Sequence, residues 1–546
     1  MSTSTLLDVP EAVAPAYAGT GTLLRAALRR DRRRLAIWVL ALGALSVYAA
    51  VALGIVYPTA ADRQARGAVV DTPAGVLLSG PGFGIPEGYT LGAMIANELS
   101  LSIMLAVAIM SIQLVVRHTR AQEESGSAEL LLAGAVGRRA LLGTALLLAA
   151  VANTAVAVVV AAGLIGSGLA VVDSVALAVG YALTGMVFAG VAAVTAQLLE
   201  SARAASGTAL TVLGAAALVR GLGDLLNDGS SPLSWFSPIA WAQQTRAFVD
   251  LRWSPLLLSV VLAGLLAAAA LRLCARRDMG AGLLAPRRGP ADASARLSAP
   301  APLLARLQRG TIIGWAVTLL LVGVVFGSLH DSVTDMVAGN PRLAQAFAVE
   351  GAAGMADSFA AATASYFGLL TAGFAVASVL RLRGEETAGR AEPLLAAALD
   401  RRRLLASGLA VAGGAAALLL VAAGLGSGLA SALVTGDLAS VGRSLVATVV
   451  QLPAVLVLAG VAALLLGMAP RLTGLAWAVL VWALLAGMFG PLLGLPEWAL
   501  RLSPFGWVPA VPAEAVDIGA LAGLTLVAAA LGAIAAVGYR RRDVPA

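Results

Sequence analysis

Carboxylates crowd into two places in this 546-residue chain, and arginines flank both. The first is RHTRAQEESGSAELLLAGAVGRRALL, residues 117–142, and the second is RLRGEETAGRAEPLLAAALDRRRLL, residues 381–405. Each holds three glutamates: Glu123, Glu124 and Glu129 in one, Glu385, Glu386 and Glu392 in the other. Acid–base or metal catalysis needs such groups to converge with histidine, cysteine or further carboxylates. Here the two histidines, His118 and His330, stand far apart and the single cysteine is Cys274. The pattern points to no metal site, no catalytic set and no intrachain disulfide. The two stretches instead resemble each other. They align without a gap, pairing Arg120 with Arg383, Glu123 with Glu386, Gly126 with Gly389, Glu129 with Glu392, Leu131 with Leu394, and Arg138-Arg139 with Arg401-Arg402.

Each stretch has a charged first part, a glycine that permits a sharp turn, and a short apolar run ending in arginines. AELLLAGAV (128–136) and AEPLLAAAL (391–399) place leucines on one face of a short helix. Glu129 and Glu392 sit at its start, where a carboxylate favours the positive helix end, and Pro393 fits only a first turn. A topology signal needs positive charge and gains little from acids. A repeated acid–Gly–acid–Leu–Arg-Arg pattern therefore reads as a docking element. The copies differ at Ser127 against Arg390 and at Leu130 against Pro393, so the two contacts need not be equivalent.

The rest of the chain must hold these inserts. It is 59% hydrophobic and 12% charged, about half the charge of a soluble domain. Apolar runs of about 20 residues predict an all-α integral membrane protein with twelve transmembrane helices. The first six lie near 35–57, 92–116, 140–163, 174–199, 204–222 and 255–275. The second six lie near 312–330, 358–380, 404–425, 440–467, 472–493 and 518–538, and the fifth of each set has the faintest signal. Residues 1–275 form one six-span half, 276–305 a cytoplasmic linker rich in Arg, Pro and Ala that reads as flexible, and 306–546 the second half. Most arginines fall on the N-terminal side of the first span and on alternate loops after it. The positive-inside rule then puts both termini, both inserts and the linker in the cytoplasm of a bacterial plasma membrane. The basic balance, +7 overall, serves topology and gives no reason to expect nucleic acid.

Further landmarks recur in order. GLIGSGLA (163–170) is similar to GLGSGLA (424–430), SPIAW (237–241) to SPFGW (503–507), and RRD stands at 276–278 and 541–543. This is the pattern of an internal duplication. An even number of spans gives both copies one orientation, so two parallel six-helix repeats related by a pseudo-two-fold axis along the membrane normal are expected. Every basic residue is arginine. A P-loop needs a lysine on the phosphates, so this chain cannot carry a standard one. Any ATP and Mg it uses must be held by another chain, and no cofactor is expected in this one.

A six-span unit with a charged helix between its second and third spans resembles the permease of ABC-2 type (type V) ABC exporters. The duplicated form with EESGSAELLLAGAVGRR and EETAGRAEPLLAAALDRR is similar to the actinobacterial polyketide-antibiotic exporter permeases of the tetronasin type. The resemblance implies a multi-pass exporter subunit that is not itself an enzyme. Two copies of a cytoplasmic ABC ATPase subunit would dock on the inserts, at Glu123, Glu124, Gly126, Glu129, Leu131, Arg138 and Arg139 in one half and at Glu386, Gly389, Arg390, Glu392, Leu394, Arg401 and Arg402 in the other. LLRAALRRDRRR (23–34) and LLARLQRG (303–310) resemble the interfacial helices before the first span of each half. The cargo implied is a hydrophobic small molecule such as a drug or polyketide antibiotic.

Few polar groups fall within the spans. Asn97, Glu98, Gln113, Asn153, Gln197, Tyr366 and Gln451 are the candidates for a substrate pathway. Two other function classes compete. A proton-driven secondary transporter should show carboxylates inside the membrane, and only Glu98 comes near. A membrane-embedded lipid-modifying enzyme should gather acids, bases or metal ligands at one membrane face, and only the inserts gather acids.

Overall fold

The computed structural model describes residues 15–226, 231–284, 299–328, 355–387, 399–489 and 496–542, with Gly389 and a few positions between 289 and 297. All regular structure among them is helical, and eleven helices are long and apolar enough to cross a membrane. The chain is an all-α integral membrane protein. Where a twelfth span is predicted, the helix Leu475–Phe489 has 15 residues, about 22 Å of a ~30 Å hydrocarbon core. Residues 490–493 of that span lie outside the described residues.

The chain divides into two compact units, Met1–Gly289 and Pro290–Ala546. The first contains α1 (Thr20–Val56), α2 (Ala60–Val70), α3 (Pro73–Ser79), α4 (Leu91–Glu98), α5 (Ser100–Arg117), α6 (Arg120–Glu124), α7 (Ser127–Leu132), α8 (Ala140–Gly166), α9 (Val171–Leu198), α10 (Ala202–Leu226), α11 (Pro238–Gln243) and α12 (Ser254–Arg276). The second contains α13 (Pro300–Ser328), α14 (Met355–Thr387), α15 (Arg401–Thr435), α16 (Ala439–Val449), α17 (Leu452–Met468), α18 (Leu475–Phe489), α19 (Glu497–Arg501) and α20 (Ile518–Arg541).

The interfacial helix expected at 23–34 and the first span form one 37-residue helix, α1. No glycine or proline lies between Leu23 and Leu42 to break it. The span expected at 92–116 is instead divided at Leu99 into α4 and α5. Asn97 draws α4 toward the loop before it, donating to the carbonyls of Gly80 and Pro81 at 3.0 Å each.

The helices of each unit pack through small residues, as lipid-embedded helices must when no water drives them together. A Cβ on Gly43 would lie 2.4 Å from Val159, and one on Gly163 would lie 2.6 Å from Val47, so α1 and α8 meet through glycines. In the second unit the corresponding pair is tighter. A Cβ on Gly327 would stand 2.1 Å from the Ser427 carbonyl oxygen, and one on Gly426 would stand 2.1 Å from that of Leu320. The repeated glycine motif ends differently in the two copies. In GLIGSGLA α8 stops at Gly166 and Gly168 turns left-handed at φ 88°, whereas GLGSGLA lies inside α15, which runs on to Thr435.

The SP-x-x-W motifs fold alike. Ser237 and Ser503 each accept from the backbone N–H two residues on, at 3.3 Å, with the proline at the first helical position. The indole N–H of Trp241 donates to the Trp235 carbonyl at 2.7 Å, and that of Trp507 donates to the Arg501 carbonyl at 2.8 Å. Both tryptophans close a turn six residues long.

Candidate functional site

The first insert begins where α5 ends. His118 is buried against Asp31 of α1, with Nε2 2.5 Å from the carboxylate, and Arg117 reaches the same carboxylate at 3.2 Å. Arg120 follows, fully buried. Its guanidinium donates twice to the Ala196 carbonyl, at 3.0 and 2.6 Å, among the last carbonyls of α9, which have no partner within the helix. It also donates to the carbonyls of Gly280 and Ala281 and, at 2.9 Å, to Glu123. A cation at a helix C-terminus is favoured, and a fork of five N–H groups can fill this many acceptors.

Glu123 lies at the centre, its side chain 9% exposed. Arg277, just beyond α12, holds it with two hydrogen bonds, one of 2.8 Å and one shorter. The Arg277 Nε donates to Gln197 at 2.6 Å, and the Arg277 carbonyl accepts from Arg138. Glu124 is exposed and accepts from the Ala202 N–H at 2.7 Å, capping the start of α10. The chain then turns at Gly126, φ 70°, into α7. That helix is shorter than the nine residues expected from AELLLAGAV. Its exposed residues include Glu129 and Leu130, the latter 81% exposed, while Leu131 is half-buried. Past it, the N–H groups of Gly137 and Arg139 donate to the carbonyls of Ala18 and Ala16, against the turn that opens α1. The first linker residues are also held, since Leu283 and Leu284 donate to the carbonyls of Gln197 and Leu198.

The second unit repeats the central contact. Glu386, buried near the end of α14, accepts from Arg542 at 2.6 Å on both oxygens and from the Tyr539 hydroxyl. Arg401 donates to the Arg542 carbonyl at 2.6 Å, as Arg138 does to that of Arg277. Gly389 turns at φ 70°, as Gly126 does. Arg402 lies in the first turn of α15, its N–H donating to the Asp400 side chain that caps the helix. Arg390, Glu392 and Leu394 lie outside the described residues. Sequence reasoning did not assign Arg277 and Arg542 to the site. The signal was present in the recurrence of RRD, whose middle residue each of them is.

The seven polar candidates make different contacts within each unit. Asn97 and Glu98 sit at the end of the first unit away from the insert. The Tyr89 hydroxyl donates to Asn97 at 3.2 Å, and burial, aided by the Glu98 charge, pushes its pKa well up, so it stays protonated. Glu98 pairs with Arg66 through bonds of 3.1 and 2.8 Å, and that bond raises the pKa of Arg66 despite burial. Gln113 accepts from Arg34 at 2.6 Å, and Gln197 belongs to the Glu123 network. Asn153 donates to Ser111 at 2.9 Å and to the Ala149 carbonyl, and its buried Oδ1 has no partner. In the second unit Tyr366 is half-buried, and Gln451, 2% exposed, packs on Gly368 with its Oε1 unpartnered.

Glu98 separates two mechanisms. Glu98→Gln leaves a neutral partner for Arg66 in a partly exposed pair worth about 1 kcal/mol. Drug transport by this variant should stay within about twofold of wild type, whereas a proton relay through Glu98 would stop. Transport driven by an imposed pH gradient measures the difference.

Comparison with known proteins agrees with this architecture. The chain is 41% identical over 537 residues, 97% of its length and 96% of the relative's, to the multidrug efflux system permease protein Rv1217c of Mycobacterium tuberculosis. The family model described as multidrug efflux system permease Rv1217c, C-terminal domain, matches residues 21–273 and again 297–540. The chain belongs to the Rv1217c family of multidrug efflux system permeases.

Proposed function

We propose that this chain is the membrane subunit of an ATP-driven exporter of hydrophobic drugs, of the ABC-2 type and duplicated like the tetronasin-type permeases. The observation that carries the reading is full-length identity of 41% to a protein named as a multidrug efflux permease. The family model falling once on each half supports the duplication, as does the recurrence of Glu–Arg, Arg–carbonyl and Trp–carbonyl contacts at positions the sequence aligns. ATP enters the reading because the chain has no lysine for a P-loop, yet holds out two charged inserts. A separate ATPase, two copies per chain, would grip these inserts in the cytoplasm. Both termini would lie on that same side, a reading the arginine distribution supports. ATP binding would move the inserts and alternate the access of a mostly apolar pathway. Glu98, the carboxylate a proton relay would use, is engaged by Arg66.

The test is copurification. A tagged chain expressed with its neighbouring genes should bring down a P-loop ATPase at one permease to two ATPases, and a hydrophobic dye should stimulate its hydrolysis. A permease that transports dye with no ATPase bound, following the proton gradient, would refute the reading.

A further inference from the structure

The RRD motif closes each half of the sequence, and the docking reading leaves it without a role. Its middle arginine makes the same two contacts in both units. Each binds the first glutamate that the two aligned inserts share, Arg277 through two guanidinium nitrogens on the two oxygens of Glu123 and Arg542 through one nitrogen that reaches both oxygens of Glu386. Each also offers its carbonyl to the first arginine of the pair that ends the insert, Arg138 or Arg401. One residue beyond the last membrane helix thus grips both ends of the insert. The surroundings differ: Arg120 and Gln197 complete the group in the first unit, and Tyr539 does so in the second, with Arg542 lying 4.6 Å over its ring. What the two units share is the two-ended grip alone.

The chemistry suits a link that carries force. The carboxylates are nearly inaccessible, with Glu386 only 2% exposed, so the pairs are poorly screened and costly to part. Two N–H···O bonds to one carboxylate also fix direction, because both weaken if the partners rotate, and the fork of Arg277 fixes it most tightly. Glu124, Glu129 and Leu130 stay exposed on the same insert while Glu123 faces inward. One face of the insert can therefore meet a partner while the other holds the helix.

We propose that Arg277 and Arg542 are positioning residues that transmit displacement of each insert to the last helix of its unit, α12 and α20, and so couple energy use to transport. This rests on the reading that the inserts are where an ATPase docks. In the complete transporter, Arg277→Gln with Arg542→Gln should leave the ATPase bound and hydrolysing in the absence of drug. Rhodamine 6G accumulated in inverted vesicles per ATP hydrolysed should fall by about tenfold or more. Exchanging the charges, Glu386→Arg with Arg542→Glu in an Arg277 background, should recover most of what Arg542→Gln alone loses. Where the glutamine variants are poorly made, a second measurement serves. Glu386→Cys with Arg542→Cys, in a Cys274→Ser background, should transport when the two thiols are joined by a short reducible crosslinker and fail when it is cleaved. Wild-type transport per ATP in the double glutamine variant, or transport indifferent to the crosslink, overturns the proposal. An ATPase that never copurifies with the wild-type chain refutes docking instead, and the crosslink result still decides the latch.

Discussion

Glu129→Lys combined with Glu392→Lys is expected to abolish drug-stimulated ATP hydrolysis while leaving the protein in the membrane in normal amount. Glu129 is exposed at the start of α7 beside Leu130, and 81% exposure of a leucine on an insert whose other face is held by Arg277 marks a surface kept for contact. Central contacts of such a patch contribute 2 kcal/mol or more each, so partner affinity should drop by about thirtyfold or more, and further with Leu130→Arg. Pull-down of the ATPase at graded concentrations measures the loss, and thermal unfolding in detergent should be unchanged. Normal stimulation in the double variant would remove the docking role from these residues and leave the folded architecture as it stands.

A second large effect should come from the glycines between α13 and α15. Gly323→Ala with Gly327→Ala puts methyl groups where carbonyl oxygens of Ala423 and Ser427 already stand, at 2.4 and 2.1 Å. Backbone cannot swing aside as a side chain can, so the helices must separate. At least about 3 kcal/mol is expected from overpacking, a fall in melting temperature of roughly 6–12 °C for a unit of this size. Gly314→Ala on the same helix, with nothing within 4 Å of its added methyl, is the control and should melt like wild type. Equal melting of the two variants would mean that α13 and α15 do not meet through their backbones.

These effects divide along the line of what the sequence makes legible. Apolar length and arginine placement are local, and they announce the spans and the inserts. Gapless alignment of Glu123 with Glu386 and of Gly126 with Gly389 marks positions that then share a buried carboxylate and a left-handed turn. The glycine motifs were visible as landmarks, but which helix each glycine faces depends on packing. Gly426 meets α13, whereas a Cβ on Gly428 would lie 2.6 Å from the backbone of Val441 in α16. The recurrence of RRD marks Arg277 as a repeated position, but its pairing with Glu123 was not legible, because the two stand 154 residues apart and nothing in a charge pattern joins partners at that distance. The break at Leu99 was hidden likewise. It carries no proline or glycine, and Asn97 is drawn aside by carbonyls 16 and 17 residues earlier.

The long reach of the glutamate–arginine pair has a consequence for how the molecule is made. Translation adds about 5–20 residues each second, so Glu386 waits roughly 8–30 seconds before Arg542, 156 residues later, leaves the ribosome. Over that interval the second half carries a carboxylate destined for burial without the arginine that holds it in the folded unit. Glu123 meets its own arginine before the second insert has been synthesised. The first half can therefore close as a finished piece while the second is still being threaded into the bilayer, and a chain cut short before the last helix keeps its second insert without the arginine that would hold it.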